Sequence, residues 1–357
     1  MTQEKSCCCC QHEAITIYDL KSPWIIGEME VLKEKVPVVS NRLQTRDYFG
    51  AMKMRLGIGR KNYKINPGIY TIGKPDANSP VLVSANYKLS FDSLRKELTN
   101  VNAWIMVIDT KGVNVWCAAG KGSFGTSEVI NRIGKIKLSE IVSHRKIILP
   151  QLGAPGVSAH EVTKATGFSV IYGPIRAADI KTFLEADLKA TNQMRTVTFT
   201  FLERLVLTPL ELIGAAKKSL SFFGLLFLIN LIAVRPFALP DFLLIAGSLF
   251  TGTVLMPALL PIIPGKAFAF KGWLLGFLWV GAFTILNNWF SSGLQLLAIG
   301  YLLLLPAVSA YFSMNFTGSS TYTSLSGVTK EMKVAVPLLM IASILGSILI
   351  LLATFGL

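Results

Sequence analysis

Asn114-Val115-Trp116-Cys117-Ala118-Ala119-Gly120-Lys121 carries the one cysteine of this chain that lies outside the run Cys7-Cys8-Cys9-Cys10. A thiolate is a soft, strong metal donor and a nucleophile. The octet follows a strongly apolar stretch, Ala103–Ile108, that reads as a strand, and precedes a helical stretch over residues 126–136. A thiol in a turn at the C-terminal end of a strand faces the crevice where open α/β sheets bind ligands. Ala118, Ala119 and Gly120 are expected to keep that turn thin, so that a large flat ligand can approach. Lys121 and the N-terminus of the following helix would both lower the thiol pKa. Asn114 can hydrogen-bond the turn or the sulfur, and Trp116 is expected to pack under the following helix. The competing reading of Cys117 is a small buried hydrophobe.

The other chemistry-bearing residues are weaker. Cys7, Cys8, Cys9 and Cys10 lack C-x-x-C spacing and cannot easily close on one tetrahedral zinc. They read as incidental thiols of a loose tail or as soft-metal capture, Hg(II) included. The histidines are His12, His144 and His160, and none stands in an Asp-x-His-x-x-Gly context. Gly120-Lys121 is followed by Gly122, which excludes a Walker A loop, and Gly57-Ile58-Gly59 lacks the third glycine of a dinucleotide fingerprint. Ser158-Ala159-His160 has no nucleophile elbow. Gly153, Ala154 and Gly156, in a loop after a strand over residues 146–149, allow close backbone approach to a ligand; the plain alternative is an ordinary βα turn.

These residues must be positioned by an α/β domain. Apolar strands at Pro80-Val81-Leu82-Val83-Ser84, 104–108, 146–149 and 168–172 alternate with helical stretches at 91–98, 126–136, 158–165 and from about Ala177. That alternation predicts a mostly parallel sheet with helices on both faces. Residues 1–45 read as an N-terminal arm, 46–190 as the α/β domain and 191–219 as a juxtamembrane connector.

Composition divides the chain. Of 35 Lys/Arg and 21 Asp/Glu, only five and two fall in residues 219–357. Such an apolar segment is a membrane domain. Five spans are expected, at about 220–238, 241–262, 269–290, 293–314 and 334–356, within a helical membrane domain over 220–357. Lys217 and Lys218, Lys266 and Lys271, and Lys330 and Lys333 fall in alternate connections, whereas the opposite side carries only Arg235. The positive-inside rule then places the N-terminal domain in the cytoplasm and the C-terminus outside, in a multi-pass protein of the cytoplasmic membrane. No secretory signal peptide is visible. The excess of positive charge in the first part fits an anionic leaflet better than nucleic acid. The membrane half favours anchorage over transport, because no convincing set of intramembrane ionisable residues stands out.

The octet resembles the signature of the corrinoid proteins of microbial mercury methylation, and Gly122-Ser123-Phe124-Gly125-Thr126 continues it. That family likewise joins a soluble corrinoid domain to about five membrane helices. The related corrinoid iron–sulfur proteins of the acetyl-CoA pathway share the corrinoid-domain fold without a cobalt-binding cysteine at this turn. The resemblance implies a cobalamin-type corrinoid bound base-off, with Cys117 as the lower cobalt ligand. It implies cofactor contacts from Asn114, Val115, Trp116, Cys117, Ala118, Ala119, Gly120, Lys121 and Thr126. It casts the helix after the octet as a cap beside the corrin. A thiolate ligand would favour Co(III) and make a cobalt-borne methyl carbanion-like, which suits attack on Hg(II). The implied activity is a membrane-anchored methyltransferase forming methylmercury. Implied partners are a ferredoxin-like protein with two 4Fe–4S clusters as reductant, since no C-x-x-C-x-x-C array is present, and a methyl donor, methyltetrahydrofolate through another protein. The alternative is a membrane transporter with a cytoplasmic regulatory domain.

Overall fold

The computed structural model describes residues 21–356, so Cys7 to Cys10 and His12 lie outside the described residues. The chain forms two compact units, residues up to 54 with 59–197, and residues 55–58 with 198–357.

The first unit is built on seven strands: β1 Ile25–Val31, β2 Glu34–Val39, β3 Gly68–Ile72, β4 Val81–Ala85, β5 Ala103–Ile108, β6 Lys146–Leu149 and β7 Ser169–Tyr172. Their order across the sheet is β1-β2-β3-β5-β4-β6-β7. β5, β4, β6 and β7 run parallel, with Val81 opposite Trp104 and Ile147 opposite Val170. β1 with β2 and β3 with β5 are antiparallel. The sheet is therefore mixed, and the parallel set expected from the sequence forms one side of it. Part of the stretch expected as a loose arm is the β1–β2 hairpin. β1, the edge strand, is largely exposed and carries Glu28 and Glu30, whereas Val36, Pro37 and Val39 of β2 are buried where it pairs with β3.

The helices of this unit are α1 Thr45–Arg55, α2 Lys88–Arg95, α3 Val115–Gly120, α4 Thr126–Lys135, α5 Leu138–Ile141, α6 Ala159–Thr166 and α7 Ile180–Glu185. Strand residues alternate between two cores with the period of two. Val81, Val83, Met106, Ile108, Ile147 and Leu149 meet α3, α4 and α6 through Ala118, Phe124, Val129, Ile133 and Val162. Leu82, Ile105, Val107 and Ile148 meet α2 and α7 through Phe91, Ile180 and Phe183.

A buried ion network ties α1 to α2. Lys88 Nζ reaches Asp47 at 2.9 Å and Asp92 at 2.6 Å, and Arg95, fully buried, reaches Asp47 and Asp92 at 2.7 Å each. Arg95 also donates to the Ser40 and Arg42 carbonyls, so the hairpin's exit is held too. Every charge is paired and hydrogen-bonded, the condition for burying charge at tolerable cost.

The second unit is helical: α8 Phe201–Leu205, α9 Thr208–Asn230, α10 Leu239–Phe250, α11 Met256–Leu259, α12 Phe268–Leu286, α13 Gln295–Asn315 and α14 Leu325–Phe355. A π-helical turn, Thr251–Leu255, joins α10 to α11. Among the described residues, four helical stretches are long and apolar enough to cross a membrane: Leu239–Leu259, Phe268–Leu286, Gln295–Ser319 and Ser326–Phe355. The expected first span does not form one continuous helix. α9 ends at Asn230, and residues 231–238 turn and extend, where Pro236 opposes helix. The ends of that stretch are nevertheless far apart. Lys218 lies over the Tyr311 ring, near the C-terminal end of α13, while Arg235 donates its backbone N–H to Thr354 at the C-terminal end of α14. α13 and α14 run in opposite directions, so Lys218 and Arg235 touch opposite ends of that helix pair, although this stretch is not among the four apolar spans.

Small residues let these helices approach. A Cβ on Gly272 or Gly276 would strike Ser313 or Ser309 of α13, and one on Gly346 would strike the Gly300 carbonyl. Arg204 and Lys271 donate to the Pro257, Ala258 and Leu260 carbonyls, which closes the C-terminal end of α11 with positive charge.

Candidate functional site

The C-terminal ends of β4, β5, β6 and β7 share one edge of the sheet. The chain leaves β4 for β5 on one side and returns across to β6 on the other, which makes this edge a topological switch point. A cleft of about 360 Å³ opens there, between the end of β4, α2, the residues entering α3 and the loops after β6 and β7. Its wall is mainly apolar, with Ser84, Ser90, Ser93, Asn114 and Arg176 as polar exceptions.

The octet forms a short helix, α3, where a turn was expected. Asn114 is its N-cap: Oδ1 accepts the Cys117 backbone N–H at 2.9 Å. Cys117 is the third residue of α3 and half-buried. Asn114, Val115 and Trp116 line the cleft; Cys117, the next residue, does not. Trp116 is 38% exposed at the cleft, so it is not packed under α4 as the sequence suggested. Ala118 and Ala119 are buried and face the core through their place in α3. They let α3 lie close to its neighbours and are not displayed at the surface.

Past Cys117 the chain turns back tightly. The Ser123 and Phe124 N–H groups both donate to the Ala118 carbonyl. A Cβ on Gly156 would sit 2.2 Å from the Phe124 carbonyl oxygen and 3.0 Å from Ala119 Cα, and one on Gly153 would meet the Phe124 ring at 2.5 Å. These glycines therefore seat the loop Gln151–Gly156 against α3 and Phe124. Thr126 accepts the Ser158 N–H at 2.9 Å and fixes the start of α4 to the same loop. Ala154 is half-buried in that loop and does not line the cleft. Gln151, beside the cleft residues Pro150 and Leu152, carries a buried Oε1 with no hydrogen-bond partner among the described residues. Gly120 and Lys121 are exposed. Lys121 belongs to a second, polar cleft of about 570 Å³ that includes Asp109, Lys111, Ser123, Glu128 and Asn131. Cys117 thus stands between one stretch of chain that lines an apolar cleft and another that lines a polar one.

One residue went unnoticed in the sequence. Asn86, buried at the end of β4, accepts on Oδ1 from the Thr110 N–H, the Thr110 hydroxyl and the Gly112 N–H at 2.9–3.0 Å, and donates to Asp109 at 2.9 Å. It holds the loop between β5 and α3, where Lys111 and Gly112 adopt positive φ. An asparagine after an apolar run is the only trace this leaves in the sequence.

His144 bonds the Ser79 carbonyl and His160 is exposed; neither lines either cleft. In the helical unit, Asp241 is fully buried and was also missed. It accepts from Ala238 N–H at 2.9 Å and Tyr301 hydroxyl at 3.0 Å, beside Arg235 at 3.3 Å. Those bonds cap the start of α10.

Residues 48–184 match the family model described as the CO dehydrogenase/acetyl-CoA synthase delta subunit. The acetyl-CoA decarbonylase/synthase complex subunit gamma of Methanopyrus kandleri is 28% identical over 184 residues, covering 51% of this chain and 35% of that one. The same subunit of Archaeoglobus fulgidus is 31% identical, covering 46% and 36%. The corrinoid/iron–sulfur protein large subunit of Moorella thermoacetica is 31% identical over 127 residues, covering 35% and 26%. The chain spans about a third of the length of these relatives. Its α/β unit is thus related to a group of proteins that includes a corrinoid protein.

Proposed function

We propose that this chain is a membrane-anchored, corrinoid-dependent methyltransferase in which Cys117 binds cobalt from below and Hg(II) accepts the methyl group. The observation that carries the reading is the placement of Cys117. It is a half-buried thiol on a helix capped by Asn114, and the three residues directly before it line an apolar cleft at the switch point of the parallel strands. The relationship of residues 48–184 to a corrinoid/iron–sulfur protein supports the same cofactor.

The residues present suit such a group. A corrin carries nitrogen donors of its own for cobalt, and Cys117 would be the donor that the protein adds. The apolar cleft, at about 360 Å³, sits at the small end of ligand pockets, and Trp116, exposed at its mouth, would be among the residues that hold the group. The orphan Gln151 Oε1 can accept an amide N–H, which is what the rim of a corrinoid presents. When bound, the corrinoid supplies a transferable methyl group. The chain's own residues supply the geometry: Asn114 and Asn86 fix the height of α3, Gly153 and Gly156 fix the facing loop, and Trp116 shields one side from water. Cys117 would supply the thiolate whose electron donation favours transfer to a soft electrophile.

Reductant and methyl donor are proposed to come from outside the chain, as a ferredoxin-like protein with two 4Fe–4S clusters and methyltetrahydrofolate through another protein. The helical unit would hold the site at the bilayer. A transporter reading is less well supported, since the buried Asp241 is engaged as a helix cap.

The deciding experiment loads the full chain with a corrinoid and compares visible spectra of wild type and Cys117→Ala. A thiolate–cobalt band present only in wild type is expected. Identical spectra would refute the ligand assignment.

A further inference from the structure

A cleft in the helical unit lies far in sequence from the chemistry above. It occupies about 880 Å³ between the start of α12, the residues 322–324 and the first half of α14. Its two ends differ in kind. One end carries Lys266 and Lys330, both exposed. α12 and α14 also begin here, and their partially positive N-termini add to the lysines. One carboxylate is present, Glu331, and it is engaged by the Ala269 N–H at 2.6 Å. The other end is apolar. Phe270 and Trp273 are stacked on one wall, and Val334, Leu338 and Ala342 follow one another along α14 on the opposite wall.

The dimensions are informative. From Lys330 to Ala342 the helix rises about 18 Å, close to half of a hydrocarbon core about 30 Å thick. The lysines belong to the connections that the charge pattern places on the cytoplasmic side. Small side chains, Ala335 and Ala342 among them, leave the channel open where bulkier ones would close it.

We propose that this cleft holds one anionic phospholipid of the cytoplasmic leaflet, its phosphate between Lys266 and Lys330 and an acyl chain along Trp273, Leu338 and Ala342. Charge complementarity selects the headgroup and the depth of the channel selects a chain of leaflet length. Basic pockets at the cytoplasmic ends of membrane helices recognise acidic headgroups in this way. The proposal rests on the bundle lying in a bilayer. It is independent of the corrinoid chemistry and stands if Cys117 proves not to bind cobalt.

The test uses the full chain, extracted in a neutral detergent and examined by native mass spectrometry with added phosphatidylglycerol, phosphatidylcholine or glycerol 3-phosphate. Wild type should retain one phosphatidylglycerol, with roughly tenfold preference over phosphatidylcholine. The Lys266→Gln/Lys330→Gln variant, altered only at exposed positions, should lose that preference. Ala335→Trp should lower retention of both lipids. Equal retention of the two lipids by wild type would reduce the cleft to ordinary annular contact and overturn the proposal. Displacement of phosphatidylglycerol by equimolar glycerol 3-phosphate would overturn it too, in favour of a soluble anion.

Discussion

Two asparagines set the position of one sulfur. Asn114 caps α3 through the Cys117 N–H, and Asn86 collects three donors from the loop that leads into it. Replacing a cap residue by alanine costs about 1 kcal/mol, so Asn114→Ala should loosen α3 while Asn114→Asp retains the acceptor. Asn86→Ala removes one acceptor from three donors, two of them backbone, at a cost of about 2–3 kcal/mol. Hydrogen exchange checks it: the Thr110 and Gly112 amides should lose protection, and unchanged protection would show that the loop does not depend on Asn86. Gly156→Ala should be harsher than either, because the atoms a Cβ meets are backbone and cannot rotate away. The place of the octet, between the end of β5 and the start of α4, was legible in the sequence from the apolar run and the helical spacing that flank it. The direction of Ala118 and Ala119 was not, because small residues suit both a ligand face and a tight helix–loop contact, and only the finished packing separates these. Asn86 was illegible for a related reason: its role lies in the loop it holds, twenty-odd residues later.

Among the elements, the four parallel strands and α4, α6 and α7 were readable from apolar runs and helical spacing. β1, β2 and β3 were not. Charged residues interrupt the hairpin, and its place in the sheet depends on pairing with a strand far along the chain. The network joining α1 and α2 follows the same logic, because Asp47 and Asp92 look like surface charges until Lys88 and Arg95 are placed between them. Lys88→Met should cost about 3–5 kcal/mol, as one partner of a buried set is removed and the others stay charged. The network also gives a pH window. Burial tends to raise the Asp47 carboxyl, but hydrogen bonds from Lys88 and the Gln44 N–H, with the Lys88 and Arg95 charges, hold it below its ordinary value. Its stabilisation is complete above the unfolded value and is lost as pH falls through the folded one, at about pH 4 and below. Tyr63 behaves oppositely: burial, then the Asp92 and Asp47 charges, push it up to about 12. Its contribution is complete below about pH 10 and is lost as pH rises through the folded value. A thermal-unfolding series should therefore show a plateau between these limits, and a stability maximum below pH 4 would contradict the arrangement. α9 is the remaining element. Twelve helical residues after Lys218 rise about 18 Å, and residues 231–235 continue as turns and bends, so whether this stretch crosses a core about 30 Å thick is decided by topology. Reporter fusions should place the loop at Lys266 in the cytoplasm and Leu357 outside. A cytoplasmic C-terminus would mean that α9 does not cross.

At the scale of the molecule, the two units are proposed to serve methyl transfer for different reasons, and their contributions should separate. Cys117 tunes cobalt, so Cys117→Ala should abolish methylmercury formation even where corrinoid still binds. Cys117→Thr should do the same, because a hydroxyl is a poor donor to a soft-ligated metal. The helical unit holds the site near its reductant and the entry of Hg(II). The first unit has its own two-sided core, and expressed alone with corrinoid and a strong chemical reductant it should keep some transfer, while in cells it should be far less active than the full chain. Cys7 to Cys10 are proposed to act on delivery. Replacing all four should slow methylation when Hg(II) is scarce and matter little when it is abundant, since captured ion is then no longer limiting. Methylmercury formed by each variant, in cells and with purified protein, distinguishes these roles. Full activity in Cys117→Ala would remove the cobalt-ligand reading. A first unit that binds corrinoid yet transfers nothing would show that the helices take part in the chemistry beyond holding it in place.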